Sequence, residues 1–130
     1  MSKKGTLLVV DDNRNILSSV KMLMEGTFSN VLTIANPVEI PASLRDGKPN
    51  VILLDMNFRN GINNGNEGLF WLREIKKTLP SAQVVLFTAY ADIELAVNGI
   101  KEGATDFIVK PFDNAKMVET LTRAFDKSNH

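Results

Sequence analysis

No residue between Val51 and Leu54 is polar, so a strand built from Val51-Ile52-Leu53-Leu54 has no face to give to water. Successive side chains of a strand point to opposite faces, and a run that is apolar at every position is buried on both. Leu7-Leu8-Val9-Val10, Val84-Val85-Leu86-Phe87 and Phe107-Ile108-Val109 read the same way. The segments between them repeat their apolar residues at helical spacing. Strands that alternate with helices and are covered on both faces specify an open parallel sheet, wound on both sides.

The pattern sets the elements. Strands are expected over 6–10, 31–35, 51–54, 83–87 and 106–109. A first helix over 13–26 would bury Ile16, Val20, Leu23 and Met24 and end near Gly26. Asn36-Pro37 reads as the cap and first turn of a second helix, which Pro41 keeps short. A third helix over 67–78 carries Leu69, Phe70, Leu72 and Ile75 and stops before Pro80, with Trp71 assigned to the core. The fourth runs from Ala91-Asp92 to a left-handed cap at Gly103. The fifth opens at Asp113 and buries Val118, Leu121 and Phe125. The segment 58–68 is an Asn/Gly-rich loop. With no repeat, linker or block of like charge, residues 1–130 read as a single domain.

Four of the apolar runs end on reactive residues. The first meets Asp11-Asp12, the third Asp55, the fourth Thr88, and the fifth Lys110-Pro111. In doubly wound sheets, ligands sit beyond the carboxyl ends of the strands. Singly, each residue is equally well a helix cap, a turn residue or a solvated lysine. Together they place three carboxylates, a hydroxyl and an ammonium at one edge. Carboxylates that crowd one another want a cation, and oxygen-only donors favour a hard divalent ion, Mg²⁺ first. A carboxylate can also attack phosphorus to form an acyl phosphate. Asp55 stands alone at a central strand end and suits that role, while Asp11 and Asp12 suit metal. Lys110 would supply charge to a phosphate oxygen and Thr88 a hydrogen bond.

Composition removes several classes. Lys+Arg and Asp+Glu are 15 each, and a neutral chain without a basic stripe argues against direct nucleic-acid binding. Cysteine is absent, which excludes disulfides and thiolate metal sites. The apolar stretch after Lys3-Lys4 is too short for a signal-peptide core or a membrane span. A cytoplasmic protein without membrane contact is expected.

The segments VVDDNRNIL, VILLDMNF and VVLFTAYADIELAVNGIKEGATDFIVKPFDNAKMVETLTRAF resemble the receiver domain of bacterial two-component response regulators over essentially the whole chain. The stretch from Thr88 to Asp113 is most similar to receivers at the front of NtrC-type regulators, which act with sigma-54 RNA polymerase. The resemblance implies a flavodoxin-like sheet of five parallel strands in the order 2-1-3-4-5 with five helices. It implies that Asp55 takes a phosphoryl group from a phosphohistidine of a histidine kinase. Asp12 and Asp55 would bind Mg²⁺ directly, Asp11 through water, and Asn57 through its backbone carbonyl. Lys110 would pair with the phosphoryl group, Thr88 would move towards it, and the ring of Phe107 would swing inward. The Lys110-Pro111 bond would be cis. The domain would catalyse its own phosphotransfer and dephosphorylation rather than act as a conventional enzyme. Partners would be the kinase, an effector domain or downstream protein, and in some states a phosphorylated second copy. Kinase docking would use the first helix's outer face, with Arg14, Ser18, Lys21 and Met22 and with Leu17 on the shoulder.

This chain departs from the family in three places. The segment after Asp55 is longer than usual, lacks Met-Pro, and carries Asn57, Asn60, Asn63, Asn64 and Asn66 with Gly61, Gly65 and Gly68. It reads either as an inert surface insertion or as a flap that shields the acyl phosphate or selects partners. Phe107 stands where Tyr is commonest and has no hydroxyl to anchor the active rotamer. Asn57 and Tyr90, two residues beyond Asp55 and Thr88, lie where the family tunes water access. Three other readings compete: a receiver that stands alone and acts by contact, a haloacid-dehalogenase-like phosphatase, and a flavodoxin-like FMN carrier. The phosphatase needs a second Asp where Asn57 stands. The carrier needs a phosphate cradle where Asp11-Asp12 stands.

Overall fold

The structure, a computed structural model, describes residues 4–56 and 66–128. Five strands form one sheet: β1 (Lys4–Val10), β2 (Phe28–Ile34), β3 (Val51–Asp55), β4 (Gln83–Ala89) and β5 (Asp106–Lys110). All pairings are parallel, and the order is β2-β1-β3-β4-β5. Helices α1 (Arg14–Met24), α2 (Ile40–Gly47), α3 (Asn66–Thr78), α4 (Ile93–Lys101) and α5 (Asn114–Ser128) lie between and after them. The flavodoxin-like α/β fold with this strand order and five helices is therefore the observed one.

Strand alternation sorts the core into two layers. Leu7, Val9, Val51, Leu53, Val85, Phe87 and Ile108 pack with residues of α1 and α5, among them Val20, Met24 and Leu121. Leu8, Val10, Ile52, Leu54, Met56, Val84 and Leu86 pack with Leu44, Leu72, Ile75 and Ala96 from α2, α3 and α4. All of β3 is buried. Each such aliphatic side chain contributes roughly 1.5–3 kcal/mol on burial, which makes the central strands the anchor of the fold.

Local chemistry sets the helix ends. The Asn13 carboxamide oxygen accepts from the Asn15 and Ile16 N–H groups and caps α1. Asn36 caps a short 3-10 turn, Pro37–Glu39, before α2. Pro41 sits in the first turn of α2, where its missing N–H costs nothing. The Asp113 carboxylate accepts from the Lys116 N–H at the start of α5. After α4, Gly103 takes a φ of +117°, a conformation that side chains rarely adopt.

Several expectations are corrected. β2 begins at Phe28 rather than 31, because Phe28 is buried edge-on against Phe125 at 6.0 Å and pairs with Lys4. Its exposed Ser29 and Asn30 hid that extension. Leu17 is buried with the core rather than standing on the outer shoulder of α1, whereas Ile16 and Leu23 are half-buried. In α3, Phe70 is 48% exposed, and Trp71 is half-buried at the margin of the core beside it. The buried stripe of α5 is Met117, Thr120, Leu121 and Ala124, with Val118 and Phe125 at its edge. Leu121 is buried as expected, whereas Val118 and Phe125 are half-buried. The segment 57–65 falls outside the described residues.

Gly68 fixes where α3 meets the sheet. A Cβ there would sit 2.8 Å from the Met56 Cα and 2.9 Å from its carbonyl oxygen, one residue past Asp55. Backbone cannot yield as a side chain can. Alanine would be favoured over glycine in a free helix by about 1 kcal/mol. The clash should reverse that sign, and Gly68→Ala should lose about 1–3 kcal/mol in urea denaturation. An unchanged or raised midpoint would refute the close approach.

Candidate functional site

The carboxyl ends of β1, β3 and β5 bring the expected residues together. Asp11 and Asp55 share the strand phase of Val9 and Leu53, and Lys110 that of Ile108, so all three belong to the α1/α5 layer. One oxygen each of Asp11, Asp12 and Asp55 lies within 4.8 Å of the other two. Asp11 and Asp55 are almost fully buried, while Asp12 is half-buried at the rim.

Lys110 crosses from the outer strand to reach two of them. Its Nζ lies 2.9 Å from Asp11 Oδ2 and 3.0 Å from Asp55 Oδ1. The ammonium rests over the Phe87 ring, 4.8 Å from its centroid. Burial works against the charged form of Lys110, but the carboxylates of Asp55 and Asp11 outweigh it, and its pKa is raised above the ordinary 10.5. Asp11 is oriented from the other side, where its Oδ1 accepts from the Asn13 N–H at 2.9 Å. The residue that caps α1 therefore also positions a carboxylate of the site.

The donor set fits a hard divalent cation. It consists of oxygen donors alone, clustered closely enough for one ion, and it joins three carboxylates of which Lys110 touches two. Asp12 and Asp55 are the residues that would hold the ion, with Asp11 held back by its own two partners. Asn57, expected to add a carbonyl, lies outside the described residues.

Thr88 and Phe107 fall on the other layer. Thr88 follows Phe87 and shares the phase of Val84 and Leu86. It is fully buried, and its hydroxyl donates to the Ala89 and Asp92 carbonyls at 3.3 and 3.4 Å, long contacts within the β4–α4 turn. Phe107 is half-buried against the same layer. Tyr90 opens a 3-10 turn, Tyr90–Asp92, and is 79% exposed. The Lys110-Pro111 peptide is cis. Arg14, Ser18, Lys21 and Met22 are exposed along the outer face of α1.

Sequence reasoning missed Phe87 and Asn13. Phe87 reads from the sequence only as core, yet its ring supports the ammonium, and the Phe112 ring lies tilted against it with centroids 5.9 Å apart. Counting two residues back along the strand phase from Lys110's neighbour Ala89 would have found it. Asn13 was visible as a polar residue between Asp12 and an amphipathic run, a usual capping position.

Comparison with known proteins gives one family. A family model described as the response regulator receiver domain matches residues 7–122. The DNA-binding transcriptional regulator NtrC of Salmonella typhimurium is 32% identical over 122 residues, which is 94% of this chain and 25% of that protein. The chain spans about a quarter of the length of the curated relatives it matches. Among solved structures, the N-terminal signal receiver domain of a two-component response regulator from Bacteroides fragilis superposes with a TM-score of 0.86 at 54% identity, covering 95% of this chain and 98% of that one. The receiver domain of NtrX from Brucella abortus gives 0.82 at 33% identity, covering 92% and 98%.

Removing the ammonium tests the electrostatics. Lys110→Met leaves two buried carboxylates facing each other, and in metal-free buffer it should cost about 2–3 kcal/mol, less than a fully buried pair would because the Lys110 side chain is partly exposed. The folded pKa is raised, so this contribution is intact below pH 10.5 and lost only as pH rises past the folded value. The deficit should thus be constant near neutrality, and Mg²⁺ should narrow it. Equal denaturation midpoints for variant and wild type in chelator would rule this account out.

Proposed function

The chain belongs to the response regulator receiver family, and from that premise we propose that it is a phosphorylation-driven signalling switch with Asp55 as the acceptor. The observation that carries the reading is the Lys110 ammonium bridging Asp55 and Asp11 at 3.0 and 2.9 Å, beside Asp12. A nucleophile, a cation for the transferred oxygens and a metal-competent pair of carboxylates stand in one small volume.

The donor is the phosphohistidine of a histidine kinase. An Asp55 oxygen forms the new bond to phosphorus as the phosphorus–nitrogen bond breaks. The electron pair returns to the imidazole, which takes up a proton. Lys110 needs only to shift from the Asp55 carboxylate to a phosphoryl oxygen, so its positive charge stays in place throughout. Mg²⁺, held by Asp12 and Asp55, supplies further positive charge at the phosphoryl oxygens when bound. The domain catalyses its own modification and its own hydrolysis, without a separate substrate.

Readout passes to the second layer. The Thr88 hydroxyl is held by two long contacts, and a phosphoryl oxygen offers a stronger acceptor. Thr88 leaves the β4–α4 turn, and Phe107 moves into the space it vacates. The changed surface meets an effector domain, a downstream protein or a second phosphorylated copy, most plainly in transcriptional regulation within the cytoplasm. Kinase docking falls to the exposed face of α1.

Acetyl phosphate with Mg²⁺ should add one phosphoryl mass to the wild type by intact mass spectrometry and none to Asp55→Asn. No adduct on the wild type would sink the reading. Tyr90 is exposed at the mouth of the β4–α4 turn, where its ring can limit water access. Tyr90→Ala should therefore shorten the acyl-phosphate lifetime by about two- to tenfold, on the order of 0.4–1.4 kcal/mol in the barrier. An unchanged lifetime would leave Tyr90 a plain surface residue.

A further inference from the structure

The two edges of the sheet are guarded differently. β5 carries Asp106 at its start and runs into Pro111. Charge and proline are the usual means of keeping an edge strand from pairing with another chain. β2 has neither. It runs for seven residues, Phe-Ser-Asn-Val-Leu-Thr-Ile, with no charge and no proline. Ser29, Asn30, Leu32 and Thr33 are exposed along it.

Its protection comes from outside the strand. The Ile34 carbonyl accepts from the Asp11 N–H and so faces β1. Three residues earlier, the Val31 carbonyl points the other way, into the open edge. Lys21, reaching down from α1, donates to that carbonyl from Nζ at 3.2 Å. Glu25, one helical turn on, holds the same ammonium at 3.1 Å. Lys21 also stands where two grooves along β2 meet, one bordered by Leu32, Ala42 and Asp46, the other by Ser29, Asn30 and Glu25.

We propose that Lys21 is a gate on the β2 edge, and that the occupant it excludes is β2 of a second copy of this chain, paired antiparallel about a two-fold axis. A second copy brings an equal uncharged strand with the same row of outward N–H and C=O groups, the self-complementarity a two-fold interface requires. Val31 is the middle residue of the seven. In register about that centre, the two Lys21 ammoniums meet at the axis and lose water together, a like-charge contact that opposes pairing. The gate is independent of phosphorylation at Asp55.

Sedimentation velocity on unphosphorylated protein tests this. Lys21→Met should form dimers with an association constant at least about tenfold above wild type, a change of about 1.4 kcal/mol. Lys21→Arg, which keeps the charge and the donors, should match wild type. Adding Thr33→Lys to Lys21→Met puts a charge back on the exposed edge and should restore the wild-type mass. Lys21 is exposed, so loss of fold is not expected to obscure the result. Lys21→Met at wild-type mass across the concentration range, or a dimer that Thr33→Lys leaves intact, would overturn the proposal.

Discussion

The ammonium of Lys110 holds together charges that would otherwise drive the sheet's carboxyl edge apart. Asp11 follows β1, Asp55 ends β3, and both are buried. Lys110 arrives from β5, passes the intervening β4 over the Phe87 ring, and contacts both carboxylates. Its length matters as much as its charge, because β5 borders neither β1 nor β3. A buried ion group of this kind gives little net stability, since desolvation consumes most of the Coulombic gain. What it gives is a fixed geometry in which two carboxylates stand against one ammonium. That arrangement suits a hard cation, and the proposed attack by Asp55 rests on it.

The sheet divides this chemistry between its two faces. Asp11, Asp55 and Lys110 share a phase with the layer packed on α1 and α5. Thr88 and Phe107 share a phase with the layer packed on α2, α3 and α4. Phe87 and Thr88 are adjacent in β4, so the residue under the ammonium and the residue that would report the phosphoryl group are joined by one peptide bond. A change in charge on one face need travel no further than that bond to reach the other. The anchoring of α4 suits such a signal. Its C-terminal end is tied to α3 by the Arg73–Glu102 ion pair, and Gly99 leaves no room for a Cβ against Leu86. Its N-terminal end follows a 3-10 turn with no side-chain cap.

Much of this was legible in the chain because burial on both faces leaves a plain mark. The doubly apolar runs located β1, β3, β4 and β5 and put the reactive residues at their ends. The same logic failed where one face meets water. β2 is an edge strand, and its polar Ser29 and Asn30 concealed three residues of pairing. On α5, reading the largest apolar side chains found Leu121 but missed Met117, Thr120 and Ala124, which complete the buried stripe. On α3, Phe70 looked like core and is half-exposed, because an aromatic side chain says nothing about its own direction. The Asn/Gly segment after Asp55 gave composition without periodicity, and no physical rule turns that into a shape.

Phase also ties the chemistry to the fold more tightly than position at a strand end does. A one-residue slip of β3 would send Asp55 to the α3 face and bring Met56 into its place beside Lys110. Such a slip is costly because every residue from Val51 to Asp55 is buried and Val51 to Leu54 are paired on both sides. Gly68 adds a second restraint, since α3 touches the Met56 backbone with no spare distance. The apolar runs therefore do more than form a sheet. By fixing register to a single residue, they decide which carboxylate meets the ammonium and which side chain lies on the opposite face.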